Sequence, residues 1–368
     1  MIKNIKKSIE LPEYPQKSDV WEILKSESRP IIVYGMGNGA DKLIQRFSEY
    51  GIKIADFFAS DGFVRGHYFH GYRVKSFSEI KETYKDFVIV LSFASNRDEV
   101  IDMLSKIDRE YEMYVPDMPI SSGEYFDCDF YNRHYREIVA AYNRLADETS
   151  RDIFASVINY RLSGKMSYLL EYYSEKQEKY RLLPSDSIEV FVDAGAYNGD
   201  TAREGIYYFK NLKTVYAIEP DRRNYKKLLR FCAECDSAKI IPINSGVYSF
   251  DGEGELAGGG NRNSTISGTA SHEHQKTDIS LLKIDSLTDG KIDYIKYDVE
   301  GAEYEALLGS RETIKKYRPS LSVSLYHRSG DIFGLVNTLY EEYPNYKFYI
   351  RRTKCIPAWE IDLIMISE

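Results

Sequence analysis

A chain of 368 residues, at roughly 150 residues per domain, is expected to hold two or three domains rather than one small binding module. Apolar residues at 43% and charged residues at 29% are globular proportions and exclude wholesale disorder. The net charge, 49 minus 57 or -8, argues against a protein whose main partner is the nucleic-acid backbone.

The start, Met1 to Glu10, carries three lysines but no following apolar run of signal-peptide length. Nowhere do some 18 apolar residues follow one another, so no membrane span is expected. Four cysteines make no disulfide framework, and the cytoplasm is the expected location. The apolar run Ile31 to Tyr34 is followed by Gly35, Gly37 and Gly39 and then by Leu43, Ile44 and Phe47 at helical spacing, which reads as strand, glycine turn, helix. Further strands at Ile52 to Phe58, Phe87 to Ser92 and Met113 to Val115 alternate with helical stretches at Phe77 to Lys85 and Arg97 to Ile107. Residues 1–117 are therefore expected to form a small parallel α/β unit of Rossmann-like type. Its glycine turn, Gly35 to Gly39, is a candidate nucleotide or nucleotide-sugar site, with Asp56 or Asp61 as the nearby acid; a scaffold that dimerises or orients an acceptor is the equal alternative.

From Pro116 to Pro184 strand signals fade, while Ile138, Val139, Tyr142 and Leu145, then Ile153, Phe154, Val157 and Ile158, recur at three-to-four spacing. Residues 118–184 read as a helical bridge. Eleven of the chain's 32 tyrosines lie between residues 110 and 180, and they are expected chiefly to pack short helices onto both flanking units.

A second alternation fills residues 185–368: strands Ile188 to Val192, Thr214 to Ile218, Lys239 to Ile243, Ile292 to Tyr297 and Leu321 to Tyr326, with helical patterns between most of them. This predicts a larger doubly wound α/β domain. Tyr346 to Arg351 and Glu360 to Ile366 are strand-like and are expected to close it as an antiparallel hairpin. The polar stretch Ser249 to Ser280 is too long for an ordinary connection, so a functional loop or a short β excursion is expected, with Gly258 to Asn263 as a lid.

The stretch VFVDAGAYNGDT carries the chemistry. Its strand delivers Asp193, after which Gly195 and Gly199 clear a tight turn where backbone N–H groups can approach a ligand. Twenty residues beyond Gly199, at the end of the next strand, Glu219 stands where an acid can accept hydrogen bonds from both hydroxyls of a ribose. A dinucleotide site asks for a pyrophosphate cradle, G-x-G-x-x-G, which this turn lacks. An acid-lined turn suits a ligand without phosphate that carries a sulfonium and an ammonium, and S-adenosylmethionine is such a ligand. Asp298, at a strand end in IKYDVEGAE, would converge with Asp193 and Glu219 on one crevice.

These residues are similar to the FkbM-type methyltransferases over about Leu145 to Ile366. The resemblance rests on VFVDAGAYNGDT, AIEPD, DYIKYDVEGAEYEALLGSRETIKKYRP and SLYHRSGD. It implies an S-adenosylmethionine-dependent O-methyltransferase of the class I fold, with a seven-stranded sheet whose last strand is antiparallel, acting on a glycan, a sugar or a secondary metabolite. It also implies roles: Asp193, Gly195, Ala196, Tyr197 and Gly199 in the first loop, Glu219 on the ribose, Asn244, Gly246 and Val247 near the adenine edge, and Asp298 by the methionine end. A hydroxyl acceptor must lose a proton, and the candidate bases are His327, Glu300 and Glu303, His327 being favoured because an imidazole titrates near neutral pH. No metal is expected, since Cys232 and Cys235 lack a second pair and His272 with His274 lacks further ligands. A two-domain NAD-dependent oxidoreductase and a non-catalytic regulatory protein are the competing readings. Homodimerisation is a further expectation.

Overall fold

The computed structural model describes residues 8–64, 66–121, 123–257, 265–267 and 276–367. Two sheets organise it. The first is all parallel, with strands in the order Lys75–Ser76, Ile54–Ala59, Ile31–Tyr34, Val88–Leu91 and Met113–Tyr114. In the Ile31–Tyr34 strand the pleat sends Ile31 and Val33 to one face and Ile32 and Tyr34 to the other, and all four are buried because helices cover both faces. The edge strand Lys75–Ser76 escaped the sequence reading because two polar residues make no periodic signal.

The second sheet runs Lys239–Ile243, Thr214–Ile218, Val190–Ala194, Tyr294–Tyr297, Ser320–Ser324, Ile361–Ser367, Tyr346–Arg352. Its first five strands are parallel, and Ile361–Ser367 pairs antiparallel with both neighbours. This is the doubly wound seven-stranded sheet with an antiparallel final strand that the sequence implied. The chain reverses its progress across the sheet between Val190–Ala194 and Tyr294–Tyr297, so a crevice opens beyond their carboxyl ends. The long polar stretch is a β excursion: Gly246–Val247, Gly252–Ala257, Thr265–Ser267 and Lys276–Leu282 form a small four-stranded sheet beside the crevice. The lid expected at Gly258 to Asn263 lies outside the described residues, as do His272 to His274.

Helices Cys128–Arg144 and Glu148–Ser163 join the sheets. The first packs on helix Asp331–Glu342 and the second on strand Tyr346–Arg352. Ser150 Oγ accepts from Ile350 N–H at 2.9 Å, and Arg351 reaches Asp147 at 2.7 Å. One buried apolar cluster runs from Ile32 and Ile89 through Phe154 and Val157 to Val192 and Leu363, so the bridge is the shared core of both units. The local tyrosines serve this packing: Tyr131 and Tyr160 are fully buried, and Tyr180 stacks on Tyr208 with ring centroids 4.0 Å apart. Tyr173 differs, because it lines the crevice. Among the described residues, no helix is long and apolar enough to cross a membrane.

Candidate active site

The crevice is a cavity of about 900 Å³ between the two units. Its floor is the turn after Val190–Ala194. Gly195 takes φ +85°, and a Cβ there would lie 1.9 Å from the Asp298 carbonyl oxygen, so the first loop can approach the Asp298 strand end only as glycine. Gly195 and Ala196 N–H both donate to the Ile218 carbonyl, and Gly199 N–H closes the turn on the Ala196 carbonyl at 2.7 Å. Tyr197, also left-handed at φ +47°, turns its N–H to Glu219 Oε2 at 2.8 Å. Asp221 N–H holds Glu219 Oε1 at 2.9 Å. Each oxygen keeps a further lone pair, so Glu219 is fixed with acceptor capacity to spare, and it lines the cavity. Burial pushes its carboxyl up to about 7 against those two backbone donors.

Asp298 forms the opposite wall with Glu300 and Tyr326. Lys296, which the sequence reading missed, stands between two of the predicted acids: its Nζ is 3.2 Å from Asp298 Oδ2 and 3.6 Å from Asp193 Oδ1. Burial would raise Asp298, but Lys296 and His327 overturn that and hold it below the usual carboxylate range. Asp193 is fully buried and lies under the cavity rather than in its wall; burial lifts it to about 7, opposed by Lys296. An alternating strand that ends Lys-x-Asp beside a strand ending in Asp was the available signal for a buried lysine. It shows which face Lys296 takes, though not that the residue is nearly buried while forming part of the cavity lining.

Behind Asp298 and Glu300 sits His327, fully buried and outside the cavity lining. Its Nδ1 is 2.9 Å from Glu303 Oε1, and its Nε2 is 3.4 Å from Glu300 Oε2 and 3.5 Å from Asp298 Oδ1. Burial alone would lower the imidazole, but the three carboxylates outweigh it and hold His327 well above its ordinary value, as an imidazolium at neutral pH. Burial raises Glu300, opposed by its contact with His327. Glu303, also buried, accepts from the N–H groups of Val299 and Gly301 at 3.0 and 3.4 Å, which anchors it at the start of helix Glu303–Leu308. Donor atoms of Asp298, Glu303 and His327 lie within 4.8 Å of one another, a spacing that could hold a cation; here the imidazolium and Lys296 supply the positive charge.

Of the remaining predicted residues, Val247 lines the cavity beside Ser245 and Leu256. Gly246 pairs with Leu281 behind it. The Asn244 amide ties down the Glu219 and Pro220 carbonyls at 2.8 and 3.1 Å. In the glycine turn of the first unit packing requires Gly35 and Gly39: a Cβ on Gly39 would meet the Ser92 carbonyl oxygen at 2.0 Å, and one on Gly35 the Ser92 hydroxyl at 2.6 Å, whereas one on Gly37 would meet nothing within 4 Å. Neither glycine lines the cavity, whereas Asn96 and Asp98 of the same unit do.

The donor set fits S-adenosylmethionine. Glu219 is placed for a diol, Ile218, Val247 and Leu256 offer an apolar patch for a base, and Asp298 with Glu300 faces the end where positive charge would lie. Asp200, at the start of helix Asp200–Tyr208, puts an acid where a pyrophosphate would need a bare helix N-terminus.

Residues 193–348 match the model of the methyltransferase FkbM domain. The crystal structure of methyltransferase FkbM from Methylobacillus flagellatus KT is similar over 97% of this chain and 94% of that one, at 21% identity and a TM-score of 0.68, so the shared fold includes the first unit and the bridge. A putative methyltransferase from Streptococcus mutans in complex with SAH shares 11% identity over 52% of this chain and 97% of its own, with a TM-score of 0.34. No curated protein matches the chain. Residues 193–348 are thus a methyltransferase domain of FkbM type, with S-adenosylmethionine as its cofactor.

Proposed function

We propose that the protein transfers a methyl group to a hydroxyl of a sugar, glycan or secondary-metabolite acceptor, with Glu300 receiving the proton. The observation that carries this reading is the placement of Glu300 on the cavity wall between Asp298 and the buried His327–Glu303 pair. S-adenosylmethionine, when bound, supplies a methyl group on a cationic sulfur. Glu219 takes the ribose hydroxyls, and Val247 and Leu256 exclude water from the base. Asp298, kept ionised by Lys296, faces the cationic end. Glu300, on the same wall, would take the proton that the acceptor hydroxyl loses on methylation. The base role moves from His327 to Glu300 because a buried imidazolium can neither reach the acceptor nor take a second proton; His327 and Glu303 position Glu300 instead. The acceptor side of the cavity combines Tyr173 and Trp359 with Asn96, Asp98 and Lys354, a mixture of flat apolar faces and hydrogen-bonding groups that suits a sugar ring.

The test is transfer of radiolabelled methyl from S-adenosylmethionine to a panel of mono- and oligosaccharides and simple alcohols. Label in an ether product supports the reading, and label recovered only on amines, thiols or carbon would overturn it. His327→Ala is expected to lower turnover on the true acceptor while leaving S-adenosylhomocysteine affinity nearly intact, since His327 does not line the cavity.

Cofactor binding should carry its own pH signature. In the free protein Glu219 is protonated below about 7, and the diol needs the carboxylate, so affinity for S-adenosylhomocysteine should weaken as pH falls through that value. One proton gives at most about tenfold per pH unit. Calorimetry at pH 6 and pH 8 checks this, with Glu219→Gln expected to bind weakly at both. Equal affinity of the unsubstituted protein at the two pH values would count against Glu219 as the diol acceptor.

A further inference from the structure

We propose that Ser121, in the segment leaving the first unit, is a positioning residue that fixes Glu300 against His327. Its Oγ–H donates to the Glu300 carbonyl at 3.1 Å and its N–H to the His327 carbonyl at 3.0 Å, so one buried residue holds the backbones of both members of the pair, which lie on different loops. The Glu300 loop needs holding. Glu300 and Gly301 are successive left-handed residues, at φ +55° and +93°, and a side chain on Gly301 would meet Ser121 Oγ at 2.6 Å. A glutamate in that region is disfavoured and persists only where its surroundings impose it.

Ser121 is itself anchored from both units. Lys42, on helix Asn38–Tyr50 of the first unit, donates to the Pro119 and Ile120 carbonyls at 2.7 and 3.1 Å. Asp117 pairs with Arg161 of the bridge at 3.0 Å with both side chains buried, and Arg161 reaches on to the Ser329 carbonyl at 2.9 Å, two residues past His327. Ser329 Oγ–H returns the connection by donating to the Glu124 carbonyl at 2.6 Å. The first unit thereby acts on the methyl-transfer site through its exit segment and needs no ligand of its own to do so. This inference rests on Glu300 as the proton acceptor for its kinetic consequence, but not for its structural one.

The test uses the full chain carrying ¹³C-labelled histidine, with the His327 resonance assigned by its loss in His327→Ala. The groups facing that ring are Glu303 on Nδ1, Glu300 and Asp298 on Nε2, the Tyr326 ring, and the nearby Asp331 and Arg328. In Ser121→Ala the freed Glu300 withdraws from Nε2, so the His327 titration midpoint falls by about half a pH unit or more. With the best acceptor of the panel, kcat falls on the order of tenfold, while KM and S-adenosylhomocysteine affinity hold. Lys42→Met, at a half-buried position that touches the exit segment at Pro119 and Ile120, shifts the midpoint in the same direction by less, and it decides the matter if Ser121→Ala fails to fold. A His327 midpoint unchanged in both folded variants overturns the proposal. The resonance is read without turnover, so a failed search for acceptors leaves this test intact.

Discussion

Glu300→Gln is expected to lower kcat on the true acceptor by about 10²- to 10⁴-fold, the usual worth of a general base, with S-adenosylhomocysteine affinity within about twofold. The two side chains are nearly the same size, so the cavity wall is kept and only the capacity to take a proton is lost. The sign of the pH effect follows from the same residue. Burial raises Glu300 above its ordinary value, and only its ionised form accepts the proton, so the rate of the unsubstituted enzyme should climb as pH rises through that raised value. The residual rate of the Gln variant should lack that limb. Steady-state kinetics from pH 5 to 9 checks both statements, and a Gln variant with full activity would remove Glu300 from the chemistry.

Why this group, and not the histidine favoured from sequence, is a matter of which side chain meets the cavity. His327 follows a strand end, as a reactive residue often does, and an isolated imidazole titrates in the useful range. Sequence order, however, does not show that Asp298, Glu300 and Glu303 close around the ring and keep it charged and covered. Strand-end acids were easier to read. Asp193, Glu219 and Asp298 each end an apolar run, and in a doubly wound sheet those ends share one rim. Two of the three do line the cavity, and the third is set beneath it by its pairing with Lys296.

Other features depend on contacts between distant parts of the chain. Ser121 meets Glu300 across 179 positions, and no local pattern marks a serine as a clamp. The glycine turn at Gly35 to Gly39 shows the converse. Its spacing made it a candidate nucleotide or nucleotide-sugar site, and Gly35 and Gly39 also let helix Asn38–Tyr50 press against Ser92. Close helix–strand packing and close ligand approach ask for the same residue type, so spacing alone could not separate them.

Lys296→Met should have the largest effect on stability. The lysine is buried between Asp193 and Asp298, and its removal leaves two carboxylates without their shared cation. Breaking a buried pair of this kind costs about 3–5 kcal/mol. For a domain of this size that is a fall in Tm on the order of 10 °C. The loss should grow with pH. Asp193 is already raised to about 7 by burial, and a carboxyl whose folded pKa exceeds its unfolded one favours folding most below its ordinary value and loses that contribution as pH climbs through the folded value. Without Lys296 the folded value moves higher still, so the deficit should widen from pH 5 to pH 8, on top of the cost of losing the pairing with Asp298, which is ionised at both. Asp298 keeps His327 and the Tyr326 hydroxyl, so Asp193 is the carboxylate that loses most, and Asp193→Asn in the Lys296→Met background should recover part of the loss. Thermal unfolding of the three proteins at both pH values measures this. A Lys296→Met penalty that does not grow with pH would mean that Lys296 acts through Asp298 or packing and not through Asp193.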